Sequence, residues 1–227
     1  GTHPPGLGVA GKPIDARHRG IPSLNHTAYE MENEALLVEG WIRSQEAGLQ
    51  FHGTDHQASH ALYTKDPEGN GVEIYADFHK EWWEILNTKN MADETFNISS
   101  PWLPGATLPI TEPKYHTNPE ITRVPGAIFN PRRIAHVALV VDDFEGQISY
   151  YTDVVGLDVA FRGPNDSYAV LGGTLSGHDL TIIKATAGQL LGLHHIGFEM
   201  DSEAELDEAD GRMKAAGIQA VLKIDHP

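Results

Sequence analysis

The sequence predicts an α+β fold built from tandem βαβββ units. Two segments read as copies: Leu24-Asn25-His26-Thr27-Ala28-Tyr29-Glu30-Met31 and Leu193-His194-His195-Ile196-Gly197-Phe198-Glu199-Met200. The likeness runs on through Glu34-Ala35 against Glu203-Ala204 and Ala47-Gly48-Leu49-Gln50 against Ala216-Gly217-Ile218-Gln219, and is still visible at Asp55-His56 against Asp225-His226. Internal repetition of this kind marks a fold made of duplicated units. Within each copy a two-residue alternation gives way to helical spacing and then to Pro/Gly turn chemistry, the grammar of strand, helix and hairpin.

In chain order, His26 to Met31 alternates as a strand, with His26, Ala28 and Glu30 on one face and Thr27, Tyr29 and Met31 on the other. A helix is expected from Glu34 to Ala47, stopped by Gly48. Strands His60–Lys65 and Gly71–Ala76 follow, joined by the turn Asp66-Pro67-Glu68-Gly69-Asn70. A further unit opens at Ile134–Val141. Asp142 or Asp143 can cap a helix that carries Phe144, Ile148 and Tyr151 and ends near Gly156. Asp158–Arg162, Tyr168–Leu171 and Leu180–Lys184 are its remaining strands. In the second copy, Ser202 and Glu205 form a capping box before a helix ending at Gly217.

A length of 227 residues accommodates two modules of about a hundred residues each. The expected division is a first module at 1–78, a connector at 79–131 and a second module at 132–227. The connector holds seven prolines, from Pro101 to Pro131, and is expected to lie over the surface, pinned by Trp82, Trp83 and Trp102. Gly1-Thr2 resembles Gly173-Thr174, and Pro227 falls where the second copy should deliver its last hairpin. The first module is therefore expected to lack its N-terminal part and the second its C-terminal part.

Composition narrows the chemistry. Thirty-two acidic against 16 basic residues give a formal charge of -16, which repels phosphate and argues against nucleic-acid partners or anionic membranes. No apolar run approaches the ~20 residues of a membrane span, and a cytoplasmic protein is expected. The absence of cysteine excludes disulfides, thiol catalysis and thiolate metal sites, leaving nitrogen and oxygen ligands. Thirteen histidines make a metal worth seeking.

His26, His136 and His195 each stand near the start of a unit's first strand, with Ala28, Ala138 and Gly197 two residues on. Small neighbours leave open space on that face. One histidine in such a place is commonly hydrogen-bonded or solvent-facing; three at equivalent places in repeated units are poorly explained by packing alone. Glu73 points away from the apolar Val72 and Ile74. Imidazoles and a carboxylate from separate strands are the donors of a non-haem Fe(II) oxygenase or a Mn, Ni or Zn lyase. His52, His56, His60 and Tyr63 lie close by in sequence and could move protons.

The run Thr54-Asp55-His56-Gln57-Ala58-Ser59-His60-Ala61-Leu62-Tyr63, continuing through Asp66-Pro67-Glu68-Gly69-Asn70-Gly71-Val72-Glu73-Ile74-Tyr75, resembles the vicinal oxygen chelate superfamily of glyoxalases, bleomycin-resistance proteins and extradiol dioxygenases. Within it the chain is most similar to two-module dioxygenases of the catechol 2,3 type, over roughly residues 1–78 and 132–227. The resemblance implies half-open barrels around an Fe(II) centre, with Mn(II) also accepted by the ligand set. It implies a small aromatic diol and O2 as substrates, and a homo-oligomer. Carried over residue by residue, the metal ligands fall on His26 or its counterpart His195, on Glu73 and on His136. The acid/base histidine falls on His52, the active-site tyrosine on Tyr63, and a further histidine beside the centre on His178.

The pattern has departures. Leu222 stands where the second module would place its His52, and that module's glutamate would be expected beyond Pro227. In the first module the opening histidine would precede Gly1, so no conventional module holds a whole triad; a pairing of His26 and Glu73 with His136 would complete one. The runners-up are a glyoxalase-type lyase or isomerase and a metal-free binding protein of the bleomycin-resistance type.

Overall fold

The structure is a computed structural model and describes residues 24–77, 94–95 and 120–220. Outside the described residues lie the connector tryptophans Trp82, Trp83 and Trp102, the Gly1-Thr2 likeness, Leu222 and the Asp225-His226 pair.

The first unit runs β1 (Thr27–Glu30), α1 (Glu34–Glu46), β2 (His52–Asp55), β3 (Ser59–Lys65) and β4 (Gly71–Asp77). Its sheet has the order β1-β4-β3-β2-β5, where β5 (Glu94–Thr95) is a short strand from the connector paired to β2. The second unit runs β6 (Arg133–Val141), α2 (Phe144–Tyr150), β7 (Asp158–Arg162), β8 (Tyr168–Gly173) and β9 (Ser176–Lys184). Then come β10 (Gly192–Glu199) and α3 (Glu203–Ala215). The second sheet reads β10-β6-β9-β8-β7, so β6 to β9 repeat the order of β1 to β4. In both units the first strand pairs parallel to the fourth and the remaining pairs are antiparallel. These are the expected βαβββ units, and neither sheet closes on itself.

Local chemistry accounts for the boundaries. Asn33 caps α1 by accepting from the Leu36 amide at 3.0 Å, and Leu37 is the buried anchor of that helix. Gly48 and Gly217 end the two copied helices with φ of 74° and 73°, conformations that glycine adopts without a Cβ penalty. Asp143, rather than Asp142, caps α2 through the Gly146 amide at 3.0 Å. That helix widens into a π turn at Tyr151–Val155 before Gly156. Strand β2 was not expected. Four residues including a glycine give too little alternation to be legible, and the strand is held by its neighbours β3 and β5.

One apolar cluster draws on both units: Leu37, Leu62, Val72, Ile74 and Ala76 from the first, and Leu139, Val141, Phe144, Tyr151, Leu171 and Ile182 among those from the second. A polar clasp joins them. Asp66, itself buried, accepts from the amides of Glu68 and Asn70 within its own turn and from the Tyr151 hydroxyl of the second unit at 3.2 Å. Glu68 Oε1 reaches across to accept from the Asp142 and Asp143 amides at 2.7 and 2.8 Å. Burial raises the phenols of Tyr29, Tyr150 and Tyr151 well above the ordinary tyrosine value, with the nearby Asp66 carboxylate adding to the shift.

The two copies differ in packing: Tyr29 packs against the core, but its counterpart Phe198 is 59% exposed. Among the described residues helix α3 buries only Ala209, and its Leu206 is exposed like Phe198.

Candidate active site

Sheet register assembles the first cluster. Ala28 pairs with Glu73 and Tyr63 with Glu73, so β1, β4 and β3 present these positions on one face; His52, paired with Tyr63, continues the row. Glu73 is fully buried. Its Oε2 lies 2.9 Å from His26 Nε2, and its Oε1 accepts from the Tyr63 hydroxyl at 2.7 Å. His56 Nε2 is 3.0 Å from the same hydroxyl and 3.7 Å from Glu73 Oε1. The His26 and His56 rings both stand edge-on to Tyr63. A carboxylate removed from water needs strong donors or a cation beside it, and here two imidazoles and a phenol converge on it.

The sequence counts His56 among the residues that could move protons, while the resemblance gives the acid/base role to His52. The structure puts the His56 ring against Tyr63 and Glu73, while His52 is exposed at the rim, opposite Tyr63. The available signal was parity, since His52, Thr54 and His56 share a face once β2 is known to be a strand. His60 turns to the other face, where it bonds Glu34 and lies 3.5 Å from Asp55.

The second cluster lies on the other sheet. His136 Nε2 and His195 Nε2 are 3.0 Å apart, the His178 ring stacks on His136 with centroids 3.9 Å apart, and His194 Nδ1 meets His195 Nδ1 at 2.7 Å. His178 also shares a hydrogen bond with Thr181 at 2.8 Å. Partial desolvation, then the neighbouring His194 and His178, hold the His195 imidazole below its ordinary pKa. The space beside Gly197 is taken by the His136 ring, with which any side chain there would collide. Thus His26 gathers with Glu73 and Tyr63, and His136 with His178 and His195.

Each cluster supplies donors of the kind a divalent cation takes: an imidazole and a carboxylate in the first, imidazoles in the second. Among the described residues no three His, Asp or Glu side chains form a ready-made cation site. The donors fit a metal in kind, and the buried Glu73 charge is one that a cation would compensate. A hollow of about 540 Å³ along Glu120–Arg123 has none of these residues in its described lining.

Comparison with known proteins adds the lineage. Residues 133–227 match the model of the Glyoxalase/Bleomycin resistance protein/Dioxygenase superfamily. That segment belongs to the superfamily. The chain is also 26% identical over 209 residues to the catechol-2,3-dioxygenase of Bacillus subtilis (strain 168), a match covering 88% of this chain and 68% of that protein. Among solved structures it is similar to 2,2',3-trihydroxybiphenyl 1,2-dioxygenase from Sphingomonas wittichii strain RW1, with a TM-score of 0.58, 15% identity, and coverage of 89% of this chain and 62% of that one. It is likewise similar to a Mn(II)-bound glyoxalase from Novosphingobium aromaticivorans, with a TM-score of 0.54, 15% identity, and coverage of 85% and 52%. The chain therefore spans between half and two thirds of the length of these two structures, and the likeness to them is one of fold. No described helix is long and apolar enough to cross a membrane.

Proposed function

We propose that this protein carries the active site of a catechol 2,3-type extradiol dioxygenase, using Fe(II) and O2 to open a small aromatic diol. One observation carries the reading: a fully buried Glu73 that meets His26 at 2.9 Å and Tyr63 at 2.7 Å, with His56 completing the group. The relationship to a catechol-2,3-dioxygenase supports the choice of reaction. A simple binding pocket has no need of a carboxylate, phenol and imidazole in series.

His26 and Glu73 would hold the metal. When bound, Fe(II) would supply a centre at which diol and O2 react as neighbours rather than by chance encounter. The chain's own residues do the rest. The half-buried Tyr63 hydroxyl, anchored on Glu73, is placed to orient a substrate oxygen. His56, rather than the exposed His52, would accept a proton at Nε2 from the diol and return it later, relayed through Tyr63. His136, His178 and His195 would form a second imidazole site, which among the described residues lacks a carboxylate.

The test is anaerobic loading of the purified protein with Fe(II), followed by catechol and O2 in an oxygen electrode. Expected is uptake of O2 in equal amount to the appearance of a yellow semialdehyde, and loss of bound iron in His26→Ala and Glu73→Ala. Full metal content and activity in either variant would overturn the assignment. Metal-dependent isomerisation without O2 uptake would instead indicate the lyase or isomerase reading.

A further inference from the structure

We propose that Lys65 is a specificity residue that receives an anionic substituent, a carboxylate, on the ring of the substrate; the inference rests on the extradiol reading above. Register fixes its place. Lys65 follows Tyr63 by two residues on β3 and so shares its face. It pairs with Gly71 as Tyr63 pairs with Glu73. A side chain at Gly71 would collide with the Asn25 carbonyl and press on the His26 Cβ. Glycine there lets the start of β1 close in, and Lys65, Gly71 and His26 form one row across three strands, roughly 10 Å wide at the usual strand spacing. Within this row Gly71, between Lys65 and His26, contributes no side chain.

Charge along this face is polarised. Beyond the Glu73 row come Glu30, paired with Tyr75, and then Asp77, paired with Ser59, so carboxylates occupy the far end. Lys65 stands alone at the near end, exposed, with no carboxylate partner among the described residues. In a chain with a net charge of -16, a cation left unpaired beside the candidate site is an exception. Lys65 also lines an open cleft of about 480 Å³ that it shares with Tyr63, Thr64 and the Gly48–Gln50 turn. An aromatic diol whose hydroxyls face His26 and Glu73 can direct an anionic tail along the row to Lys65; the reverse orientation sets that tail against Glu30 and Asp77. A flexible ammonium on a four-carbon stem can reach such a tail without a fixed geometry.

The experiment compares two diols alike in ring and in point of attachment, 3,4-dihydroxyphenylacetate and 4-methylcatechol, in the wild type, Lys65→Met, Lys65→Arg and Lys65→Glu. The readouts are kcat/KM and, separately, anaerobic equilibrium binding of each diol at low and high salt. The expected result is a selectivity ratio for the carboxylated diol that falls about three- to tenfold in Lys65→Met, is kept in Lys65→Arg, inverts in Lys65→Glu, and shrinks with salt. A ratio unchanged by Lys65→Met, with both diols cleaved, overturns the role of Lys65 and leaves the extradiol reading intact. Lys65-dependent preference in binding without cleavage of either diol supports the anion site and overturns the extradiol reading. Failure of both diols to bind overturns both.

Discussion

The Tyr63 hydroxyl donates to Glu73 Oε1 at 2.7 Å between directly paired residues of the β3–β4 hairpin, and the hydroxyl oxygen itself lies 3.0 Å from His56 Nε2. One phenol thus links the buried carboxylate to an imidazole. Tyr63→Phe keeps the ring and removes the link. A fall in kcat of about 10- to 100-fold is expected with iron content retained, measured by oxygen uptake alongside metal analysis. An unaltered kcat would take Tyr63 out of the reaction.

His56 and His52 separate cleanly by substitution. With its ring beside Tyr63 and Glu73, His56→Ala should lower kcat by roughly 10²- to 10⁴-fold. His52→Ala, at the exposed rim, should cost far less. Equal losses in the two variants would mean that the His56 contacts are structural.

The clasp between units is a stability prediction. Asp66→Ala would leave the buried Tyr151 hydroxyl and the Glu68 and Asn70 amides without their acceptor. Losing these bonds in a buried setting should cost about 2–4 kcal/mol, seen as a lower midpoint in urea unfolding. Asp66→Asn keeps one acceptor oxygen and should recover part of the loss.

Alkaline pH tests the buried phenols. Tyr29, Tyr150 and Tyr151 have folded-state pKa values raised by burial above the ordinary value of 10.0. A group with a raised folded pKa stabilises fully below its unfolded pKa, and that contribution is lost as pH climbs beyond it. Stability should therefore hold up to about pH 10 and fall above it, with tyrosinate absorbance rising together with unfolding. Tyr151→Phe should be less stable at neutral pH, lacking the bond to Asp66, yet lose less on going alkaline. Tyrosinate formation well below the unfolding transition would show these phenols to be accessible.

Much of this was legible in the chain. Alternation around His26 and His136 located β1 and β6, and Asn33, Gly48, Ser202 and Gly217 marked the copied helices, because caps and αL stops act through neighbouring residues alone. The Asp66–Asn70 turn announced the β3–β4 hairpin, whose register then set Tyr63 opposite Glu73. Strand β2 and the inward turn of His56 were not legible. A four-residue strand containing a glycine has no local signature, and its direction depends on pairing with β3.

Residue order alone thus specified the repeating units, their caps and the parity that puts His26 and Glu73 on the same side of the sheet, since these follow from backbone periodicity and from contacts a few residues long. Which histidine meets Tyr63, that His136 stacks on His178 and bonds His195 in a separate group, and that Asp66 and Glu68 fasten one unit to the other were settled by tertiary packing. Those contacts join side chains from distant strands, and their partners are chosen by sheet pairing and burial, which no local pattern encodes.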